Sequence, residues 1–60
     1  MMADEKKVLR LLKTARGQMD GIIKMVEENR YCIDISQQLM ATEAILNRAN
    51  KEILAAHLKH

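Results

Sequence analysis

Small and apolar side chains recur at alternating intervals of three and four positions along two stretches of the chain. That spacing is typical of one face of an α-helix that packs against another helix. The sequence contains no proline and only two glycines, so few turn signals interrupt the pattern. The first stripe consists of Val8, Leu12, Ala15, Met19, Ile22 and Val26, and the second of Ile35, Leu39, Thr42, Leu46, Ala49, Ile53 and Ala56.

The ends of the two helices are indicated by polar residues with known preferences. Asp4 is a suitable N-cap, and Asp34 places a negative charge in the first turn of the second helix. Asn29 tolerates a left-handed backbone, which favours a turn at that point. The pattern therefore predicts an all-α helical hairpin made of two long antiparallel helices. The predicted limits are about 5–28 for the first helix, 29–31 for the turn and 32–59 for the second helix, within a single domain spanning 1–60.

Apolar residues cover more of each predicted helix than one packing seam requires. A chain of 60 residues buries only part of its surface, and its single cysteine excludes an internal disulfide. One face can pack within the hairpin while another packs against a second chain. We therefore expect the hairpin to dimerise into an antiparallel four-helix bundle.

Positive charge is concentrated near the start of the chain. The formal net charge is +2, but residues 1–16 alone carry five basic and two acidic side chains. Such a set is most often a solvated face; doubled by symmetry, it becomes a surface that can neutralise DNA phosphates. No known DNA-reading motif is evident. The candidate DNA-binding residues are Lys6, Arg10, Lys13 and Arg16 on the first helix and Arg48 on the second.

Cys32 and His57 are the candidate ligands for a metal ion. They are 25 residues apart, about 37 Å along one helix, yet they return to within about 20° of the same face. They cannot meet within one molecule, but two antiparallel copies would bring them together twice. Thiolate and imidazole suit a soft or borderline ion such as Cu(I) or Zn(II). The alternative is that Cys32 is a small buried hydrophobe and His57 an interface histidine.

Two ligands are too few for a closed tetrahedral zinc site, and trigonal Cu(I) would need one more. Position 61, one turn beyond His57, would supply it on the same face, but the sequence stops at His60. His60 points about 60° away from His57, so we expect it to be exposed rather than a ligand.

Several function classes are not expected. The first ten residues are charged and no apolar run approaches membrane length, so neither a signal peptide nor a membrane partner is predicted. There is no acid–base pair and no glycine-rich phosphate loop, so an enzyme is not expected. The lone thiol fits a reducing compartment, and we expect a cytoplasmic protein.

Four segments together resemble the copper-sensing operon repressor family (CsoR-like), and the resemblance covers nearly the whole chain. Arg-Gly-Gln followed by Tyr-Cys-Ile-Asp, with a histidine 25 residues after the cysteine, is specific as a set. The segments span 12–22, 31–34, 47–50 and 57–60.

The resemblance implies a transcriptional repressor whose dimers pair into homotetramers and whose metal-free form binds double-stranded operator DNA. Binding of an inducer lowers its affinity for that DNA. By position, Cys32 matches the cysteine ligand of one subunit and His57 the histidine ligand of its partner. Tyr31 matches a tyrosine that lies next to the metal-binding cysteine and supports the metal ligands without binding the metal itself. Lys13, Arg16 and Arg48 match basic positions used for DNA.

The chain departs from the family pattern in three ways. The usual second cysteine would stand at position 61, and the short third helix that normally follows is absent. Leu11 stands where relatives often carry a basic residue. Either the natural protein is truncated or, as we expect, a C-terminal segment has been lost. The chain as it stands is expected to bind Cu(I) poorly.

The inducer differs among members of the family. His57 favours a metal as the inducer, and the ending 57–60 favours Cu(I) if a cysteine follows it. The lack of a histidine before His57 argues against nickel or cobalt. A formaldehyde-responsive or persulfide-responsive repressor remains an alternative, since both would use Cys32. A purely structural helical dimerisation module is the alternative from another class.

Overall fold

A computed structural model describes residues 4–58, which form two α-helices joined by a short turn. Helix α1 spans Glu5–Glu27 and helix α2 spans Cys32–Leu58, and the described part of the chain contains no strand. The predicted all-α hairpin is confirmed. The predicted helix limits were about 5–28 and 32–59; residue 59 and His60 lie outside the described residues.

Asp4 caps the N-terminus of α1. Its side-chain Oδ1 accepts a hydrogen bond from the backbone N–H of Lys7 at 3.2 Å, and its backbone carbonyl accepts one from Val8 at 3.0 Å. Glu5 adds a negative charge to the first turn, where the helix dipole favours it. This cap starts the helix that carries the basic residues.

Asn29 ends α1 in a left-handed conformation, with φ of 55°. Its N–H donates to the carbonyl of Val26, and the N–H of Arg30 donates to that of Met25, both at 3.0 Å. This pair of bonds is a Schellman motif, which satisfies the last carbonyls of the helix and reverses the chain. The prediction that Asn29 adopts this conformation is confirmed.

The turn can be tested by substitution at Asn29. We expect Asn29→Ala to lower the free energy of unfolding by about 1 kcal/mol, because alanine is strained at positive φ. Asn29→Gly should be neutral or stabilising, since glycine accepts that conformation freely. Urea unfolding at one fixed protein concentration measures both, and equal loss in the two variants would contradict the argument.

The helices pack along a narrow seam whose members are small or apolar. Its most buried apolar residues, each at most 9% exposed, are Val8, Leu11, Ala15, Ile22 and Ala49. The predicted stripes are wrong as single seams, because their alternate members face away from the partner helix. Between 41% and 59% of each such side chain is exposed, in Leu12, Met19, Val26, Leu39 and Leu46.

A buried hydrogen bond crosses the middle of the seam. Thr42 is only 1% exposed, and its hydroxyl lies 2.8 Å from Oε1 of Gln18 and 3.2 Å from the carbonyl of Gln38. No buried side-chain nitrogen or oxygen between residues 4 and 58 lacks a partner. Because an unpaired buried hydroxyl is costly, this bond holds the two helices in one register.

Candidate functional site

Cys32 is the first residue of α2 and has an exposed, free thiol. The turn of the Schellman motif delivers it there, and the carbonyl of the preceding Tyr31 accepts a hydrogen bond from Ile35 at 3.2 Å. The Tyr31 side chain is 66% exposed, so it stands beside the thiol without being packed into the hairpin. The thiol is therefore accessible to a ligand or to another chain.

His57 lies in the last turn of α2 and is also exposed. Since α2 is a continuous helix, His57 is about 37 Å from Cys32 along its axis. Within residues 4–58 no group of three or more His, Cys, Asp or Glu side chains is placed to hold a metal ion. One hairpin alone therefore does not assemble the predicted ligands.

Exposed apolar side chains of both helices lie on one side of the hairpin, which we call the apolar face. A surface depression lined by Leu9 and Leu12 of α1 and Ile53 of α2 shows that the two helices meet on that side. By helical register Cys32 and His57 point toward the same side. The apolar face consists of Leu9, Leu12, Met19, Ile23 and Val26 of α1 and Leu39 and Leu46 of α2.

Three of the predicted DNA-binding residues are brought together on the outer surface of α1. Lys6, Arg10 and Lys13 line a shallow groove together with Leu9 and Thr14. The hydroxyl of Thr14 donates its hydrogen bond to the carbonyl of Arg10 at 2.8 Å, so it is not free to donate to a ligand in the groove. The groove is open to solvent and cationic, which suits a phosphate group.

The other two predicted DNA-binding residues lie apart from this groove. Arg16 is turned by about 120° around α1 from Arg10, toward the apolar face. Arg48 belongs to α2 and is turned away from the apolar face, on the side of the hairpin where Arg10 lies. The structure therefore groups Lys6, Arg10 and Lys13 directly, adds Arg48 on the same side, and separates Arg16.

An inter-helix ion pair lies beside the basic residues. Nζ of Lys7 is 2.8 Å from Oε1 of Glu52, with 40% of the lysine side chain and 37% of the glutamate side chain exposed. Sequence reasoning assigned no role to Lys7, Glu52 or Gln18. The pairing of these residues depends on where the chain turns. Because Asn29 reverses the chain, residues whose numbers sum to about 60 face each other, as Gln18 and Thr42 do.

Neither helix within residues 4–58 combines the length and apolar character that crossing a membrane requires. This agrees with the charge distribution, because every turn of α1 carries a charged or polar side chain.

Comparison with known proteins identifies relatives along almost all of the chain. A family model described as "Metal-sensitive transcriptional repressor" matches residues 4–60. Three relatives are described as "Copper-sensing transcriptional repressor CsoR". The relative from Mycobacterium ulcerans is 48% identical over 59 residues, covering 97% of this chain and 50% of that protein. The one from Mycobacterium bovis (strain BCG) is 41% identical, covering 98% and 50%, and the one from Bacillus subtilis is 35% identical, covering 95% and 56%.

The chain thus spans about half the length of the curated relatives that it matches. No solved structure gives a significant match. The family consists of transcriptional repressors, which are not enzymes, in agreement with the expectation from the sequence. The extent of the match and the identity to several relatives place this chain in the metal-sensitive transcriptional repressor family.

Proposed function

We propose that this chain binds operator DNA as a repressor and releases it when an inducer, Cu(I), binds between two copies. The observation that carries the proposal is the placement of Cys32 and His57 at opposite ends of α2, on the side of the apolar face. Two hairpins paired antiparallel through α2 would set Cys32 of one copy beside His57 of the other, twice per dimer.

The donor set fits the proposed ion. A thiolate and a neutral imidazole are soft and borderline ligands, and both side chains are exposed at their helix ends. A third ligand is expected one turn beyond His57. Cu(I) would supply bonds that join the start of one α2 to the end of another. Tyr31, next to the thiol, would hydrogen-bond to groups around the ligands rather than to the ion. The names of the relatives favour copper over other metals.

The same pairing accounts for the apolar face. Side chains such as Leu39 and Leu46 are 45% and 42% exposed in one hairpin, and a second copy would remove them from water. Burial of such side chains contributes about 25 cal/mol for each Å² of apolar surface. A homodimer with a four-helix core is the simplest product, and pairing of dimers into a homotetramer extends the same proposal.

Lys6, Arg10 and Lys13 are proposed to hold the phosphate backbone of operator DNA. They span about 10 Å along one side of α1, so they can contact successive phosphates of one strand. Arg48 would extend the basic surface of α1 onto α2. Arg16 would contact DNA only at the margin of that surface. Contacts to phosphate position a protein on DNA, and base readout would require further groups.

Release is proposed to follow from a change in the tilt of α2. An inducer held by Cys32 of one copy and His57 of the other would constrain both ends of each α2. The buried bond between Thr42 and Gln18 ties α1 to α2, so the basic groove moves with α2. A small change at the ligands then alters the spacing of the two basic surfaces that fit one stretch of DNA.

Titration of the complete natural protein against its own promoter DNA tests this function. We expect tight binding without copper, weakening with rising salt, and release on addition of Cu(I) under reducing conditions. A mobility-shift assay across several salt concentrations measures both. DNA binding that requires copper would contradict the scheme.

The exposed thiol of Cys32 supports a second candidate, a repressor that responds to formaldehyde or persulfide. Its chemistry would need Cys32 but not His57. Suppose that Cu(I) still releases DNA from Cys32→Ala but no longer releases it from His57→Ala. That result would exclude any function that depends on the thiol of Cys32. A purely structural module predicts no DNA binding at all.

A further inference from the structure

Lys7 lies beside the proposed DNA-binding residues but is held by an acidic side chain of the other helix. Its Nζ is 2.8 Å from Oε1 of Glu52. Lys7 is three residues before Arg10, and Glu52 is four residues after Arg48. Residues at these spacings share a helix face, so the ion pair lies on the side of the hairpin that carries Arg10 and Arg48.

Glu52 therefore places a negative charge within the surface that we propose for DNA. A phosphate approaching Arg10 and Arg48 meets a carboxylate between the two helices. At the same time, the positive charge of Lys7 is paired with that carboxylate. Of the five cations on this side (Lys6, Lys7, Arg10, Lys13 and Arg48), Lys7 is thus paired within the hairpin before DNA binds.

We propose that Glu52 withholds Lys7 from DNA, so that Lys7 is a latent phosphate-binding residue. The proposal rests on the proposed DNA-binding function. Both side chains are more than one-third exposed, and ion pairs of that kind are weak and are screened by salt. Glu52 therefore lowers the affinity for DNA by a small factor and does not block binding.

The test separates a gained phosphate contact from a general change of charge. Each phosphate that a protein neutralises adds about 0.9 to the slope of log affinity against log salt. Removing Glu52 should free Lys7 for one further contact by each bound copy. Removing an acid that holds no lysine should change the affinity slightly and leave the slope unchanged.

We would measure binding of the complete protein to a short fluorescein-labelled duplex from its own promoter, by anisotropy at several salt concentrations. For each bound copy, Glu52→Gln should bind about two- to five-fold more tightly, with a salt slope steeper by about 0.9. The double variant Lys7→Gln with Glu52→Gln should return to the slope of the unmodified protein. Glu27→Gln is the matched control, since it removes the same charge about 30 Å away along α1.

An unchanged slope in Glu52→Gln would overturn the proposal, as would a steeper slope that persists in the double variant. In either case DNA binding itself would remain established. Absence of binding by every variant and by the unmodified protein would overturn both this proposal and the DNA-binding function. Helix content and oligomeric state, measured for each variant, show whether the comparison is between folded proteins.

Discussion

Cys32→Ala should bind operator DNA as tightly as the unmodified protein but should no longer release it on addition of Cu(I). The thiol is exposed and free, so its removal leaves no cavity in the seam and no unpaired polar group. The basic groove on α1 is untouched. Coupling between an inducer and DNA is typically worth about a five- to 150-fold change in affinity, and we expect all of it to disappear.

A mobility shift with and without Cu(I) measures this effect. Ser36→Ala is a suitable control, because Ser36 is exposed in the same helix and offers no soft ligand. The control should release DNA normally. Normal release by Cys32→Ala would show that the thiol is not a ligand, whereas loss of DNA binding without copper would show that Cys32 has a structural role.

Simultaneous replacement of Lys6, Arg10 and Lys13 by glutamine should nearly abolish DNA binding. These side chains line one groove and are exposed, so the variant should still fold. Loss of three phosphate contacts lowers the salt slope by about 2.7 for each bound copy, which corresponds to roughly a hundred-fold loss of affinity per copy near physiological salt. Binding isotherms across a salt series measure both quantities.

A second triple variant controls for net charge. Lys24, Arg30 and Lys51 carry the same total charge but lie outside the groove, and Arg30 is within 3.9 Å of a glutamate oxygen. Their replacement by glutamine should weaken binding only slightly. Equal loss in the two triple variants would mean that DNA senses the charge of the whole protein rather than this groove.

The hairpin was predictable because its signals are local. Alternating spacings of three and four positions define a helix whichever face is buried, and Asp4 and Asn29 act through bonds to residues at most four positions away. The phase of the seam was not predictable in the same way. Leu11 and Leu12 are neighbours and equally apolar, yet Leu11 is 6% exposed and Leu12 is 41% exposed.

The choice between such neighbours depends on the rotation of one helix against the other. That rotation is set by contacts between residues distant in sequence, such as Thr42 with Gln18 and Lys7 with Glu52. Two apolar faces lie side by side on each helix, so a stripe read from the sequence mixes the buried face with the exposed one. The mixture itself was informative, because it predicted more apolar surface than one hairpin can cover.

The candidate site was predictable only as a relation between two copies. The separation of Cys32 and His57 follows from the rise of a helix, and their common face follows from its period. The structure adds that both residues are exposed and that exposed leucines lie on the same side of α2. Their approach in an assembled dimer depends on a second chain and stays a prediction.

Complementation between two inactive variants tests the intersubunit site most directly. A dimer of Cys32→Ala chains lacks every thiol ligand, and a dimer of His57→Ala chains lacks every imidazole ligand. A mixed dimer, purified through two different tags, would contain one complete site and one empty site. With both variants made in the complete protein, we predict that neither variant alone binds Cu(I) tightly and that the mixed dimer binds one ion for each pair of chains. A mixed dimer that binds none would contradict a site shared between Cys32 of one copy and His57 of the other.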